Sequence, residues 1–341
     1  MTDSYPKIVV GIPTKGDIDG IEATVSSLDK QTIQPDRLII CDGSDDATFH
    51  KLTDLLVDVN LSCDIVKQSG DGVASAYNQM LGMVRGDYEV FATLQTNLVV
   101  QNDWLENHVE CHRKMPDIGA VVPGDVESNR VREAGAKGYF TMRNVSIKKD
   151  LLESVQGWDE NFLRGEDWDF HIRMGCDEAT TVVSPNVTHS WRGNRSDVDP
   201  AVTLSKFTRR PTSITFIAKY GLWYLKFHPG HVIHDVLASV YGLCLFLGLS
   251  GYFLSPIHAS PLLILAGLSA SFYGAGRSTW GRNTSFKFLI ESMKKLHFTP
   301  IAIVYALLRV CHGSKWNYSG FSRDCSIREK SSMNRLLRMQ N

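Results

Sequence analysis

Along the first 190 residues short apolar runs alternate with amphipathic stretches, and that rhythm predicts an α/β domain, a mainly parallel sheet with helices on its faces. Residues 7–13 read as the first strand. Behind the capping candidates Asp17 and Asp19, Ile18, Ile21, Val25 and Leu28 recur at spacings of 3, 4 and 3, the period of a helix. A second strand over 37–41 runs into the acidic turn Asp42-Gly43-Ser44-Asp45-Asp46. Further strands are expected at 63–67, 88–94 and 118–122, with helices at 49–56, 73–84 and 104–114 between them. Sheets of this kind bind ligands at the carboxyl ends of their strands, near a topological switch point, and Thr14 and Asp42 occupy such ends. Taken alone, an acidic turn after a strand is an ordinary solvated turn.

Further along, the pattern changes. Residues 236–276 are 41 consecutive positions without Asp, Glu, Lys or Arg. A bilayer-spanning helix needs about 20 apolar residues, so this run suffices for two passes, with Pro256 and Pro261 breaking the helix at a central turn. A membrane hairpin is therefore expected at about 233–273. Lys219, Lys226, Arg277, Arg282, Lys287, Lys294 and Lys295 lie beyond its outer ends, which places both ends in the cytoplasm. A shorter apolar stretch at 298–310, bracketed by Lys294, Lys295, Arg309 and Lys315, reads as an interfacial helix on anionic lipid. The expected organisation is a globular domain over 1–211 followed by a helical membrane-attached region over 212–341 that ends in a basic tail. The catalytic domain and both termini are expected on the cytoplasmic side.

Composition adds exclusions. With 43% hydrophobic and 21% charged residues the chain is not disordered, and Lys+Arg 36 against Asp+Glu 37 gives no global basic field for nucleic acid. The charge is uneven: residues 277–341 carry 12 basic and 3 acidic side chains, leaving the first 235 residues at about −10. Seven widely spaced cysteines without a C-x-x-C pair point to reduced cytosolic thiols rather than zinc or redox chemistry. The N-terminal stretch has no basic segment followed by a long apolar one, so no secretory signal is expected. N-x-S/T sequons, among them Asn144, Asn186, Asn194, Asn283 and Asn317, fall on the cytoplasmic side and are expected to be unused.

Four motifs then occur in order. The first joins Ile12-Pro13-Thr14, Ser27-Leu28-Asp29-Lys30-Gln31-Thr32 with Pro35, and Ile39-Ile40-Cys41-Asp42-Gly43-Ser44-Asp45-Asp46. The second is Asp71-Gly72-Val73-Ala74-Ser75-Ala76-Tyr77-Asn78-Gln79 followed by Gly86-Asp87-Tyr88. Gly157-Trp158-Asp159-Glu160-Asn161-Phe162 with Gly165-Glu166-Asp167-Trp168-Asp169-Phe170 and Arg173 makes the third, and His189 in Val187-Thr188-His189-Ser190-Trp191 the fourth. From Lys7 to about Trp191 the chain thereby resembles the family-2 glycosyltransferases, which have the Rossmann-like GT-A fold and transfer sugars from nucleotide-activated donors with inversion.

The resemblance implies nucleotide-sugar contacts at Pro13, Thr14, Asp42 and Ser44, and places Asp71 near the ribose or phosphates, although a helix cap explains Asp71 equally well. It makes Asp167 the general base that accepts the acceptor hydroxyl's proton, since an alcohol is a poor nucleophile until deprotonated. Glu166 accompanies it in the catalytic pair, and Glu166 and Asp169 orient the acceptor or cap the helix. His189 stands where family members carry a histidine near the donor diphosphate and metal.

One departure matters. The family's Asp-x-Asp, whose carboxylates hold Mg²⁺ or Mn²⁺, is replaced within Phe91-Ala92-Thr93-Leu94-Gln95-Thr96-Asn97. Alignment from Gly86 puts Thr93 and Gln95 at its positions; alignment back from Asp103-Trp104 puts Gln95 and Asn97 there. Neither register supplies a carboxylate. Three outcomes stay open: a weakly held divalent metal at Gln95, Asn97 and His189; phosphate charge met by Arg192, Arg209 or Arg210; or loss of catalysis. No Gln-x-x-Arg-Trp sequence of processive synthases is present, which implies one sugar per encounter. The expected partners are a nucleotide-sugar donor, a lipid-linked or glycan acceptor and membrane lipid. The alternative is a degenerate transferase kept for binding or scaffolding.

Overall fold

The computed structural model describes residues 5–57, 59–84, 88–124, 126–134, 141–163 and 165–192, with Phe216, Lys219 and Tyr220. In chain order the elements are β1 (Ile8–Thr14), α1 (Ile18–Asp29), β2 (Arg37–Asp42), α2 (Asp46–Leu56), β3 (Cys63–Lys67), α3 (Gly72–Met83), β4 (Val90–Leu94), β5 (Leu98–Val100) and α4 (Trp104–Lys114). There follow β6 (Ala120–Pro123), β7 (Arg130–Glu133), β8 (Asn144–Lys148), α5 (Lys149–Ser154), α6 (Glu166–Cys176), β9 (Thr180–Ser184) and β10 (His189–Trp191). The chain divides into two units between Val198 and Asp199, and these elements all belong to the first. The expected hairpin, interfacial helix and basic tail lie outside the described residues. Among the described residues no helix is long and apolar enough to cross a membrane.

Eight of the described strands form one sheet in the order β3-β2-β1-β4-β8-β6-β9-β7. The alternation of side chains along each strand builds two cores, one on either face. Ile8, Val10 and Ile12 of β1 with Leu38 and Ile40 of β2 pack against α1, α2 and α4 through Ile21, Val25, Leu52, Trp104 and Leu105. Val9, Ile39 and Phe91 face the other way and meet α3, α5 and α6 through Tyr77, Met80, Leu151, Phe170 and Met174. Gly11 is required on that face, because a Cβ there would lie 2.4 Å from Cζ of Phe91.

The expectation of a mainly parallel sheet holds for β3, β2, β1 and β4, whose three junctions are all parallel. Beyond β4 it holds only between β6 and β9: β8 runs antiparallel to both β4 and β6, and β7 antiparallel to β9. The sheet is mixed. Strand β8 escaped the apolar pattern because Asn144 and Ser146, both buried, alternate with Val145 and Ile147. A separate two-stranded ribbon joins β5 to β10 antiparallel; it sets His189 against Val100 and brings Trp191 and Arg192 back to the loop at the end of β4.

Candidate active site

The floor of the site is the pair of strand ends predicted to meet the nucleoside. Thr14 and Asp42 are register partners across β1 and β2, and Pro13 stands beside Cys41. The fully buried Asp42 carboxylate receives the Ser44 N–H at 3.2 Å and the Ser44 hydroxyl. Ser44 thus fixes Asp42 rather than reaching outward. The Thr14 hydroxyl is buried with no hydrogen-bond partner, which leaves a polar group waiting for a ligand. Burial, with Asp42 adding to it, pushes the Cys41 thiol up to about 12, so that thiol is inert.

At the end of β4 the two registers separate. Thr93 is fully buried and donates its hydroxyl to the Met142 carbonyl at 2.8 Å, so it points into the sheet. Gln95 and Asn97 are the residues of the loop. The Gln95 N–H donates to the Arg143 carbonyl at 2.8 Å, while its side-chain Oε1 is buried and unpartnered. Asn97 adopts a left-handed φ of 67° and donates its amide to the Asp17 carboxylate. Asp17 is also the N-cap of α1, receiving the Gly20 N–H at 3.1 Å, so Asn97 ties the loop to that helix. Arg192 donates its backbone N–H to the Asn97 carbonyl at 2.9 Å and its guanidinium to the Asp19 carbonyl at 3.0 Å.

His189 is oriented by a side chain from the sheet. Asn144 Oδ1 receives the Trp104 indole N–H at 3.0 Å, and Asn144 Nδ2 donates to the Val187 carbonyl at 2.8 Å. Since an indole only donates and a carbonyl only accepts, the amide cannot be reversed. Its Nδ2 faces His189 Nδ1 at 3.0 Å, so that ring nitrogen accepts. Burial first, and Arg143 second, push the His189 pKa down, and the neutral ring then carries its proton on Nε2. A metal needs a lone pair there. Among the described residues no three His, Cys, Asp or Glu side chains converge to hold an ion. Two neutral amides and a ring N–H do not fit a divalent cation held by the protein.

The acceptor side is assembled by Asn78 of α3. Its Oδ1 receives the Trp158 N–H at 2.9 Å, and its Nδ2 donates to the Trp158 carbonyl at 2.8 Å and to Glu160 at 2.9 Å. Gly157 at φ 67° completes this clamp, since a Cβ there would lie 2.7 Å from Asn78 Oδ1. Trp158 stacks on Phe170 of α6 with centroids 4.9 Å apart and leans on Tyr77 at 4.7 Å. Gly165, in the left-handed region at φ 80°, then starts α6, whose first turn carries Glu166, Asp167 and Asp169. The three part company. Asp169 is fully buried and receives Arg173 Nε at 2.8 Å, while Asp167 accepts the Trp168 N–H at 2.9 Å. Burial raises the Asp167 pKa against the lowering effects of that backbone bond and of Arg143. Asp71 stands at the N-cap of α3 with an exposed side chain that makes no capping bond, so capping does not explain it.

Arg143 is the residue of the candidate site that sequence reasoning missed. Its positive charge acts on both Asp167 and His189, and the guanidinium lies 5.5 Å from the Trp191 ring centroid. Only the register that sets Leu94 against Asn144 places it beside Gln95, and nothing in Thr141-Met142-Arg143 signals that pairing.

Residues 9–159 match the sequence model described as glycosyl transferase family 2. The chain is 22% identical over 178 residues to the glucosyl-dolichyl phosphate glucuronosyltransferase of Haloferax volcanii, covering 46% of this chain and 55% of the relative. It thus spans little more than half the length of that curated relative. Among solved structures, a mannosyltransferase from Pyrobaculum calidifontis in complex with GDP-Man and Mn²⁺ is 16% identical, with 90% of this chain and 87% of that one covered and a TM-score of 0.50. GalNAc-T7 with UDP, GalNAc and Mn²⁺ is 12% identical over 65% of this chain and 50% of that one, at a TM-score of 0.51. Sheet order, strand-end carboxylate and the match over residues 9–159 agree, and the described domain has the GT-A fold and carries a segment similar to the family-2 glycosyltransferases.

Proposed function

We propose that the chain is an inverting glycosyltransferase that moves one sugar from a nucleotide-sugar donor to a lipid-linked acceptor, a polyprenyl or dolichyl phosphate or diphosphate, at the cytoplasmic membrane face. The observation that carries it is Asp167: a carboxylate of raised proton affinity at the start of α6, within the field of the arginine that also acts on His189. In this reading Asp167 takes the acceptor proton as the hydroxyl attacks the anomeric carbon opposite the leaving diphosphate. Glu166 orients the acceptor beside it. Thr14, Asp42 and Asp71 meet the nucleoside side of the donor. The archaeal relative's name supports a lipid-phosphate acceptor, and the ligands of the two solved neighbours support a nucleotide donor.

The test is transfer by the purified full chain from a panel of UDP- and GDP-sugars to dolichyl and polyprenyl phosphates that already carry a sugar, whose hydroxyl is the nucleophile that needs a base, with the bare lipid phosphates alongside, and with Mg²⁺, with Mn²⁺ and with chelator. Product of inverted anomeric configuration is expected. No transfer from any donor would leave a binding or scaffold protein as the reading.

Membrane attachment is tested by accessibility labels in membranes. Cysteines introduced at Ser213 and Ser331 are expected to react from the cytoplasmic side, and one at Ser255 or Ser260 from the opposite side. Reaction of Ser331 from outside would mean that 298–310 crosses the bilayer, and the interfacial placement of that stretch would be abandoned.

A further inference from the structure

We infer that Asn144 is a positioning residue that locks His189 as a fixed Nε2–H donor for the donor diphosphate, so that protein N–H groups supply there what the family's carboxylate-held cation would. The inference rests on the transferase reading for the identity of the anion, but the lock itself is a matter of geometry. Behind Asn144 stands a buried chain of side chains whose hydrogen-bond direction is determined at one end. Trp104 fixes Asn144 Oδ1 as an acceptor, and His108 Nε2 lies 3.3 Å from the same oxygen. His108 must therefore carry its proton on Nε2, and its Nδ1 accepts from the Ser146 hydroxyl at 2.7 Å. Ser146, having donated, accepts from His112 Nε2 at 2.9 Å.

Every link is buried, and burial pushes both His108 and His112 down to about 3, so the chain stays neutral and keeps its direction. The network ends at His112 Nδ1, which is buried without a partner, and the rest has one low-energy arrangement, because reversing Asn144, His108 or Ser146 sets two acceptors or two donors face to face. Its outer end is His189. Its Nε2 has no protein partner among the described residues, on a strand whose neighbour β5 continues directly from Gln95 and Asn97. Asn144 also sits in an N-x-S sequon, and its burial in this network excludes glycosylation of the folded domain.

The chemistry makes a sharp prediction for Asn144→Asp. A carboxylate still accepts from Trp104 and His108 but cannot donate to His189. It draws the ring proton to Nδ1 and frees Nε2 as a lone pair, the arrangement in which carboxylate-bound histidines ligate metals. Long-range ¹H–¹⁵N correlation spectra of the full chain labelled at histidine nitrogen, assigned by loss of the signal in His189→Gln, read the tautomer directly. The expected results are Nε2–H in the wild type and Nδ1–H in Asn144→Asp. Calorimetric titration with UDP and with GDP should give wild-type affinity that changes by less than about threefold between Mn²⁺ and chelator. In Asn144→Asp that ratio should be about tenfold or more, the worth of one hydrogen bond to a charged group.

A wild-type His189 protonated on Nδ1 overturns the inference, and this measurement needs no variant to fold. An Asn144→Asp protein with unchanged tautomer and unchanged metal dependence overturns it equally. If instead the tautomer is as expected and neither nucleoside diphosphate binds, the diphosphate assignment falls together with the transferase reading, while the positioning of His189 stands.

Discussion

Asp167→Asn is expected to lower sugar transfer by about 10²- to 10⁴-fold while nucleotide binding stays within a few-fold of the wild type. The substitution keeps the shape of the side chain and its acceptance of the Trp168 N–H, and removes only the capacity to take a proton. The acid limb of the wild-type rate profile should sit above the usual aspartate value of about 3.9, because burial makes the carboxylate harder to ionise, and the variant should lack it. The sign for stability is opposite to that for activity. A folded-state pKa above the unfolded one means that the native protein binds the proton first on acidification. The charged form therefore penalises folding above the folded pKa, and the penalty vanishes below the unfolded value. Asp167→Asn should then melt higher than the wild type near neutral pH, with the gap narrowing as the pH falls through the raised folded pKa and closed once it is below about 3.9. Transfer at near wild-type rate by the variant would remove Asp167 from the role of base.

How much of this was legible in the sequence depended on whether a residue's partner was near in the chain. The first half was legible because period decides it: β3 and α4 fall at the predicted positions, and α1 starts behind Asp17, whose side chain caps it. Beyond β4 the code becomes one of long-range pairing. Asn144 and Ser146 look like a polar loop until Trp104, His108 and His112 from α4 supply their hydrogen bonds. Without β8 there is no way to see that Arg143 lies against Gln95 or that His189 is held from behind. The choice between Thr93 and Asn97 was likewise invisible, since it turns on which way a strand residue faces. Gln95 shows the other limit. Its type allowed a weak, uncharged metal ligand, and only the structure shows its amide oxygen buried and unpartnered beside the arginine backbone.

Asp169→Ala is expected to cost the domain about 3–5 kcal/mol, although Asp169 lies in the motif that suggested acceptor chemistry. The carboxylate has no exposed surface, and the Arg173 side chain that it holds is 15% exposed. Arg173 in turn donates to the carbonyls of Val155 and Gly157, the latter at 2.7 Å, and so fastens the turn that presents Trp158 to Phe170 and Asn78. Its Nη2 is already buried without a partner, so removing Asp169 leaves a largely buried guanidinium without its carboxylate. At about 2–4 °C per kcal/mol for a domain of this size, the melting temperature should fall by about 6–20 °C in scanning calorimetry. The double replacement Asp169→Leu with Arg173→Met removes both charges at similar volume and should recover much of that loss, which separates a stranded charge from lost packing. A drop of under about 2 °C in the single variant would show that Arg173 finds another partner, and the structural role of Asp169 would pass to the packing of Trp158.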